Sequence, residues 1–286
     1  MTVNSVESGP PTGRARLATL NVWGTRGDWK ARREVLAREF AELDADLVTL
    51  QECIRTDTYD QAREILGDGY HLVHQSEREP DGQGVTIASR WPVGEVAEID
   101  LHLTPRTAGF ACTSLLAEIL APEPLGRIWL VDHFPSWQLD QAYERELQAV
   151  ATARVVEDRV AARPGHAIVA GDLDADPDAS SIRFWTGRHA LEAFSVCYRD
   201  AWASRGDPDQ RAGETYVPEN PLGTDWDWPF RRIDYLLVRC GRHGGPTLAV
   251  DRCARILDGP DTTASDHYGL TADLVPPPAV EEPPNG

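Results

Sequence analysis

The chain has 286 residues, of which 28 are basic and 46 acidic, and its formal net charge is −18 at pH 7. This length suits one sheet-rich domain with a large core, whereas so acidic a chain without a Lys/Arg run disfavours duplex nucleic acid. The first fourteen residues lack an apolar signal core, and no stretch approaches the ~18 apolar residues of a membrane span. We therefore expect a cytoplasmic protein without a membrane span.

The cysteines indicate the state of the thiols, and the composition of the two chain ends indicates the limits of the domain. The five cysteines are odd in number and show no C-x-x-C spacing, so neither a disulfide framework nor a zinc site is indicated. We expect reduced, mostly buried thiols. Residues 1–14 and 275–286 are polar or rich in Pro and Glu and are predicted to be disordered, which leaves one domain over residues 15–274.

The first half of that domain reads as strands around one helix. Residues 15–23 alternate like a strand, and Asp28 then opens a helical pattern. One face of that helix carries Trp29, Leu36, Phe40 and Leu43. Further strands are predicted over residues 46–50, 84–89, 113–120 and 127–131.

The second half begins with a long helix. It is predicted over residues 138–162, with Leu139, Tyr143, Leu147 and Val150 on its inner side, and Pro164 with Gly165 stops it. Short buried strands follow over residues 166–170 and 233–238. Strands followed by helices early, and more sheet late, favour an α/β or α+β sandwich.

Polar residues collect where these apolar strands end. They are Asn21, Glu52, His133, Asp172 with Asp174, and the pair Asp266 and His267. Asp234 differs because it lies inside the apolar run RRIDYLLV. A carboxylate buried there needs a partner, and His267 is the natural candidate.

Seven short segments occur in an order that matches a known family. They are ATLNVWG, LVTLQEC, GVTIASRWPV, VDHFPSW, AGDLDADPD, RRIDYLLV and SDHYGLTADL. Together they make the chain resemble the endonuclease/exonuclease/phosphatase family, which includes the DNase I-like enzymes, over roughly residues 15–274. The resemblance implies an α+β, four-layer sandwich: two mixed β-sheets face to face with helices outside. It also implies a metal-dependent phosphoesterase site where the loops converge.

The resemblance assigns roles to the strand-end residues. Asn21, Glu52 and Asp266 would bind a metal, and their hard oxygen ligands favour Mg²⁺ or Mn²⁺ over Zn²⁺. Asp172 would orient or deprotonate the attacking water. These residues match the family positions in the segments quoted above.

The two histidines receive complementary roles by the same resemblance. His267, held in one tautomer by Asp234, would face the phosphate as base or oxyanion stabiliser. His133 would lie opposite and stabilise or protonate the leaving group. Gln83 is a polar candidate near His133, because the supporting carboxylate of the family is not identifiable here.

One position departs from the family pattern. The family most often has Gly-Asp-Phe-Asn where this chain has GDLD, so Asp174 replaces an amide. Because an ionised Asp only accepts hydrogen bonds, Asp174 would bind metal more directly or be protonated in the complex. An EF-hand interpretation of DLDADPD is rejected, since Pro177 and Arg183 stand where that loop needs Gly and Glu.

Plainer interpretations stay open beside these roles. Asn21 could cap a turn, His133 could be a satisfied core histidine, and Asp266 could cap a turn beside a packed His267. Trp226 and Trp228, in the loop before Asp234, could stack a base or flat group or simply close the loop.

The expected substrate is a phosphate ester without a duplex backbone. A small phosphodiester, a phosphorylated metabolite or a short single strand fits the charge, and oligomeric state is left open. Two alternatives remain, a DNA or RNA nuclease and a catalytically inactive binding protein on the same fold.

Overall fold

Two six-stranded sheets organise the computed structural model, which describes residues 13–210, 213–223, 229–241 and 244–278. The first sheet has the order β11-β12-β1-β2-β4-β3, and the second has the order β5-β6-β7-β8-β10-β9. The first comprises β1 (Ala15–Asn21), β2 (Leu47–Ile54), β3 (His71–His74), β4 (Gln83–Ser89), β11 (Ala249–Ile256) and β12 (Gly269–Val275). The second comprises β5 (Val93–Asp100), β6 (Thr113–Leu120), β7 (Arg127–Phe134), β8 (His166–Asp172), β9 (Tyr198–Asp200) and β10 (Asp234–Arg239).

Helices cover the outer faces of the two sheets. They are α1 (Trp29–Leu43), α2 (Gln61–Leu66), α3 (Ala142–Ala162) and α4 (Ser180–Trp185), whereas the short α5 (Ala201–Arg205) packs into the core between the sheets through Ala201 and Trp202. Along β1, Leu17 points into the core between the sheets, whereas Ala18 and Leu20 pack with Leu36 and Phe40 of α1. Strands covered on both faces are apolar throughout, which explains the continuous apolar runs of the sequence. The predicted α+β, four-layer sandwich is therefore confirmed.

The helix after β1 begins where its capping residue predicts. The Asp28 side chain accepts a hydrogen bond from the backbone N–H of Ala31 at 3.2 Å, so it satisfies one of the unpaired donors of the first turn. Leu36 and Phe40 are buried, as the periodicity indicates. The helix ends at Leu43 because Asp44 adopts a left-handed conformation with φ of 52°.

The long helix differs from its prediction in start and face. It begins at Ala142, and both Leu139 and Tyr143 are exposed. Arg145 and Gln148 are buried instead, because they donate to the backbone carbonyls of Ser136 and Leu101, among others. Val150 is buried as predicted, and the face continues with Ala153 and Val156. The difference is confined to the first turns, where polar side chains satisfy carbonyl groups that an apolar pattern does not register.

Strand β7 is longer than predicted, and this changes the position of His133. The strand continues to Phe134 instead of ending at residue 131. Because side chains alternate along a strand, Phe134 joins the core between the sheets while His133 points to the other face. Glu52 also lies inside its strand, at an irregularity between Leu50 and Cys53 where the pairing with β4 shifts.

Two predictions concern the ends of the chain and membranes. Residues 1–12 and 279–286 lie outside the described residues, so disorder at the ends and the domain bounds 15–274 stay predictions. No helix in the described part of the chain has both the length and the apolar composition needed to cross a bilayer.

Candidate active site

A cavity of about 360 Å³ collects most of the polar residues that the sequence singles out. Its lining includes Asn21, Glu52, Gln83, Asp172, Asp174, Asp266 and His267. The first sheet supplies Asn21 at the end of β1 and Glu52 in β2, which runs parallel to β1. The second sheet supplies Asp172 at the end of β8, where it pairs directly with Asp234 at the start of β10. Sheet register thus brings residues far apart in sequence to one edge.

His267 is held between two carboxylates. Its Nδ1 lies 3.0 Å from Oδ2 of Asp234, and its Nε2 lies 3.8 Å from Oδ2 of Asp172. Burial favours the neutral ring, but Asp234 and Asp172 together outweigh that cost and raise the pKa of His267 well above its usual value. The two carboxylates therefore favour the protonated form of the ring, whose Nε2 lies on the Asp172 side.

Asn21 connects the two sheets through its amide nitrogen. Its Nδ2 donates to Oδ2 of Asp172 at 3.0 Å and to Oε1 of Glu52 at 3.1 Å. Its Oδ1 accepts from the backbone N–H of Trp23 at 3.0 Å, which is the turn-capping contact considered above. In this structure Asn21 orients two carboxylates as a donor, and the oxygen predicted as a metal ligand already has a partner.

Glu52 and Asp266 form the outer side of the cavity. Glu52 has a φ of 52°, which few non-glycine residues adopt, at the irregular point of β2. Burial raises the pKa of Asp266 to about 6, and the negative charge of Glu52 adds to this effect against the opposing charge of His267. The two carboxylates therefore repel each other across the cavity.

Asp174 is buried without a complete set of partners. Its backbone N–H donates to Oδ1 of Asp172 at 3.2 Å, while its Oδ2 has no hydrogen-bond partner among the described residues. Burial raises the pKa of Asp174 to about 6. Burial and the adjacent Asp174 likewise raise the pKa of Asp172 well above its usual value.

This crowding of carboxylates fits a divalent cation. Asp172, Asp234 and His267 place potential ligand atoms within 4.8 Å of one another, and the two carboxylates can bind a cation while the ring is protonated. Oδ1 of Asp234 also lacks a partner among the described residues. A hard cation accepts carboxylate oxygens and would relieve their mutual repulsion. This cluster differs from the predicted set of Asn21, Glu52 and Asp266. Asp172 and His267 line the same cavity as that set, whereas Asp234 is fully buried behind His267.

His133 lies away from this cavity, contrary to the expectation that it faces His267 across the phosphate. Its Nδ1 contacts the hydroxyl of Ser114 at 2.6 Å and that of Thr152 at 3.4 Å, and its ring packs edge-on against Trp185. Burial lowers its pKa to about 3. The core-histidine interpretation fits this position. The physical reason is that β7 continues through His133 and turns its side chain to the helix-covered face.

The remaining sequence predictions have mixed outcomes. Gln83 lines the cavity, and its Oε1 accepts from Nη2 of Arg26 at 2.9 Å. Trp226 and Trp228 lie outside the described residues.

Sequence reasoning missed two arginines that line the cavity, Arg26 and Arg231. Arg26 follows Asn21 by five residues in the loop NVWGTRGD, and that proximity is the signal that could have identified it. Arg231 donates to the carboxylate of Asp176 and to the backbone carbonyl of Asp174. Only the folded chain shows that both guanidinium groups border the carboxylates.

Comparison with known proteins agrees with this geometry. The model of the Endonuclease/Exonuclease/phosphatase family matches residues 18–267. No curated protein matches the sequence.

Several solved structures share the fold. TDP2 from Caenorhabditis elegans is 18% identical, with a TM-score of 0.69 over 92% of this chain and 74% of that one. D. rerio TDP2 complexed with single strand DNA product is 20% identical, with a TM-score of 0.66 over 91% and 98%. A mannosyl-6-phosphatase from Bacteroides thetaiotaomicron is 18% identical, with a TM-score of 0.70 over 91% and 99%. The family model, which matches most of the chain, shows that the chain belongs to the Endonuclease/Exonuclease/phosphatase family and supports a phosphoesterase activity, while the solved structures, at 18–20% identity, share its fold.

Proposed function

We propose that this phosphoesterase is divalent-cation-dependent and acts as a phosphodiesterase on a small or single-stranded phosphoester through an activated water. The observation that carries the proposal is the buried array in which His267 joins Asp234 to Asp172 at the edge of the cavity. Glu52 and Asp266 border the same space. A charged imidazole beside several carboxylates suits the binding and hydrolysis of an anionic ester.

The pKa of His267 supports one of its two expected roles. Two carboxylates raise that pKa well above the usual value, which favours the protonated ring. Nε2–H is then a donor that would bind a phosphoryl oxygen and stabilise the negative charge developing on it. The structure therefore favours the oxyanion-stabilising role over that of a base.

Asp172 is the carboxylate we assign to the water. Its Oδ2 accepts from Asn21 and its Oδ1 accepts from the N–H of Asp174, so its orientation is restrained from both sides. A restrained carboxylate can hold a water in line for attack and accept its proton. His133 lies outside the cavity, so leaving-group assistance is not assigned to it.

Glu52 and Asp266 are the residues we expect to hold Mg²⁺ or Mn²⁺, with Asp172 or Asp174 as neighbouring oxygen donors. When bound, the cation would neutralise charge on the phosphoryl group and lower the pKa of a coordinated water. Asn21 would orient the carboxylates around it through the bonds described above. Asp174 adds a carboxylate where the family usually has an amide, so its unpartnered oxygen is available to such a cation.

Single-stranded nucleic acid is a second candidate substrate. One structural neighbour was solved with a single strand DNA product, and another is a mannosyl-6-phosphatase, so the shared fold accommodates different phosphate esters. The net charge of −18 continues to disfavour duplex DNA. A catalytically inactive binding protein is less well supported because the His267–Asp234 pair and the carboxylates are all present. A cytoplasmic location stays a prediction.

Hydrolysis assays test the proposal directly. With Mg²⁺ present, the protein is incubated with bis(p-nitrophenyl) phosphate, single-stranded DNA and RNA, and then with a wider phosphate-ester panel. Asp172→Asn is expected to lower turnover by about a hundredfold or more, whereas Asp140→Asn, an exposed aspartate paired with Arg106, controls for loss of charge. Equal rates for wild type and Asp172→Asn on every substrate would contradict the hydrolase assignment.

The metal assignment needs a separate measurement. Calorimetric titration with Mn²⁺ compares wild type with Glu52→Gln and with the control Glu39→Gln, whose carboxylate pairs with Arg38 on α1. We expect weaker binding only for Glu52→Gln, because it loses a charged oxygen ligand. Unchanged affinity would remove Glu52 from the ligand set.

A further inference from the structure

Arg26 is the more exposed of the two arginines that border the cavity. It lies in the loop between β1 and α1, and 49% of its side chain is exposed. Arg231 is only 8% exposed and is anchored by Asp176 and by the carbonyl of Asp174. Arg26 can therefore change partners with less disturbance of the surrounding structure.

The contacts of Arg26 overlap with the proposed metal site. Its Nη1 lies 2.5 Å from Oε2 of Glu52, and its Nη2 donates to Oε1 of Gln83 at 2.9 Å. The other oxygen of Glu52 accepts from Asn21. Arg26 thus occupies a carboxylate oxygen that the proposed function assigns to a divalent cation.

A guanidinium and a divalent cation compete at the same carboxylate. The two positive charges repel each other, and an ion pair with a half-exposed partner is weak in water, so a cation at Glu52 would displace Arg26 readily. A phosphate ester can then replace Glu52 as the partner of Arg26, because the guanidinium group can donate to two phosphate oxygens at once. In a chain of net charge −18, a local cation at the cavity is also what an anionic substrate requires.

We propose that Arg26 exchanges partners: it binds Glu52 in the metal-free protein and a phosphoryl oxygen of the substrate once Glu52 binds the cation. This inference rests on the proposed function, because it needs a cation at Glu52. It makes Arg26 a substrate-binding residue and couples metal loading to substrate recognition. Without the cation, Arg26 stays bound to Glu52 and does not bind the substrate.

The first test measures metal binding without substrate. Mn²⁺ is titrated calorimetrically into wild type, Arg26→Gln, Arg26→Lys and Arg38→Gln. Arg38 is the matched control because its side chain is also 49% exposed and pairs with Glu39 outside the cavity. Arg26→Gln is expected to bind Mn²⁺ about five-fold more tightly, since the competitor for Glu52 is gone, and Arg38→Gln should match wild type.

The second test measures anion binding by the metal-loaded protein. Inorganic phosphate is titrated into each protein at saturating Mg²⁺. Arg26→Gln is expected to weaken phosphate binding about tenfold, while Arg26→Lys, which keeps the charge but loses the fork, weakens it less. Arg38→Gln should leave phosphate affinity unchanged.

The outcomes separate this inference from the proposed function. If Glu52→Gln weakens Mn²⁺ binding but Arg26→Gln binds Mn²⁺ no more tightly than wild type, partner exchange is overturned while the metal site stands. Unchanged phosphate affinity in Arg26→Gln would overturn the substrate-binding role. If Glu52→Gln leaves Mn²⁺ affinity unchanged, the metal assignment fails, and the Arg26 inference fails with it.

Discussion

Two buried histidines in this molecule have opposite electrostatic environments. His267 is 6% exposed and contacts Asp234, whereas His133 is 1% exposed and contacts the hydroxyl of Ser114. The pKa of the first is raised well above its usual value, and burial lowers that of the second to about 3. Burial alone keeps an imidazole neutral, and only the carboxylate partners reverse that outcome.

The same comparison distinguishes a histidine that lines the cavity from one that packs in the core. His267 lines the cavity, and so does Asp172, one of its two carboxylate neighbours. His133 packs between β7 and the helical layer, where its ring contacts Trp185. Two histidines with the same predicted importance therefore differ in environment, because one has charged neighbours and lines the cavity. Substitutions at the two histidines and at Asp234 and Asp174, taken from the largest expected effect to the smallest, test this difference.

Replacing His267 should have the largest effect. His267→Gln removes the cation facing Asp172, and we expect kcat for bis(p-nitrophenyl) phosphate to fall by about 10²–10⁴-fold. His102→Gln is the matched control because His102 also pairs with an aspartate, Asp100, but on the surface. Similar losses of kcat in both variants, or no loss in His267→Gln, would contradict the role assigned to His267.

Replacing the partner of His267 should change its titration. Asp234→Asn removes the hydrogen-bonded carboxylate and should lower the pKa of His267, measured by NMR titration of the metal-free protein, with a smaller fall in kcat of about ten- to a hundredfold. A raised folded pKa stabilises the fold fully below the unfolded value near 6.5, and this contribution is lost as pH rises through the folded pKa. Urea unfolding should therefore show the stability advantage of wild type shrinking at alkaline pH. If the pKa of His267 is the same in Asp234→Asn and in wild type, Asp234 is not the cause of its raised value.

Replacing His133 should affect stability more than activity. His133→Gln leaves the hydroxyl cluster of Ser114 and Thr152 poorly satisfied, so we expect a loss of about 2–3 kcal/mol in the free energy of unfolding. We expect kcat to stay within about tenfold of wild type. Urea unfolding and the esterase assay measure both quantities. A collapse of kcat without loss of stability would return His133 to a catalytic role.

The smallest effect is expected at Asp174. Burial raises its folded pKa to about 6, so the carboxylate is destabilising once it ionises above that pH and neutral at low pH. Asp174→Asn should stabilise the metal-free protein by ~1 kcal/mol near pH 8, after the cost of pairing the new amide, with no gain near pH 4. Urea unfolding at both pH values measures this, and a gain that is equal at the two would contradict the pKa assignment.

Local sequence signals predicted several elements closely. Strand β6 has the predicted bounds, and α1 begins after the predicted cap Asp28. Short or mostly exposed elements were missed, including β3, β9 and the edge strand β5, whose residues alternate between partly buried and exposed. Edge strands lack the double apolar coverage that makes an inner strand visible in sequence.

The ordered motifs, by themselves, determined the family, the two-sheet sandwich and most of the acidic residues that border the cavity, because each of these strand ends carries its own polar residue next to an apolar run. Tertiary structure alone decided which of them act together. The direct pairing of Asp172 with Asp234 places both carboxylates beside His267, and one extra length of β7 turns His133 away. The contact of Arg26 with Glu52 likewise joins different loops and strands. Register, strand length and long-range electrostatics depend on neighbours across the sheet, which a linear pattern does not contain.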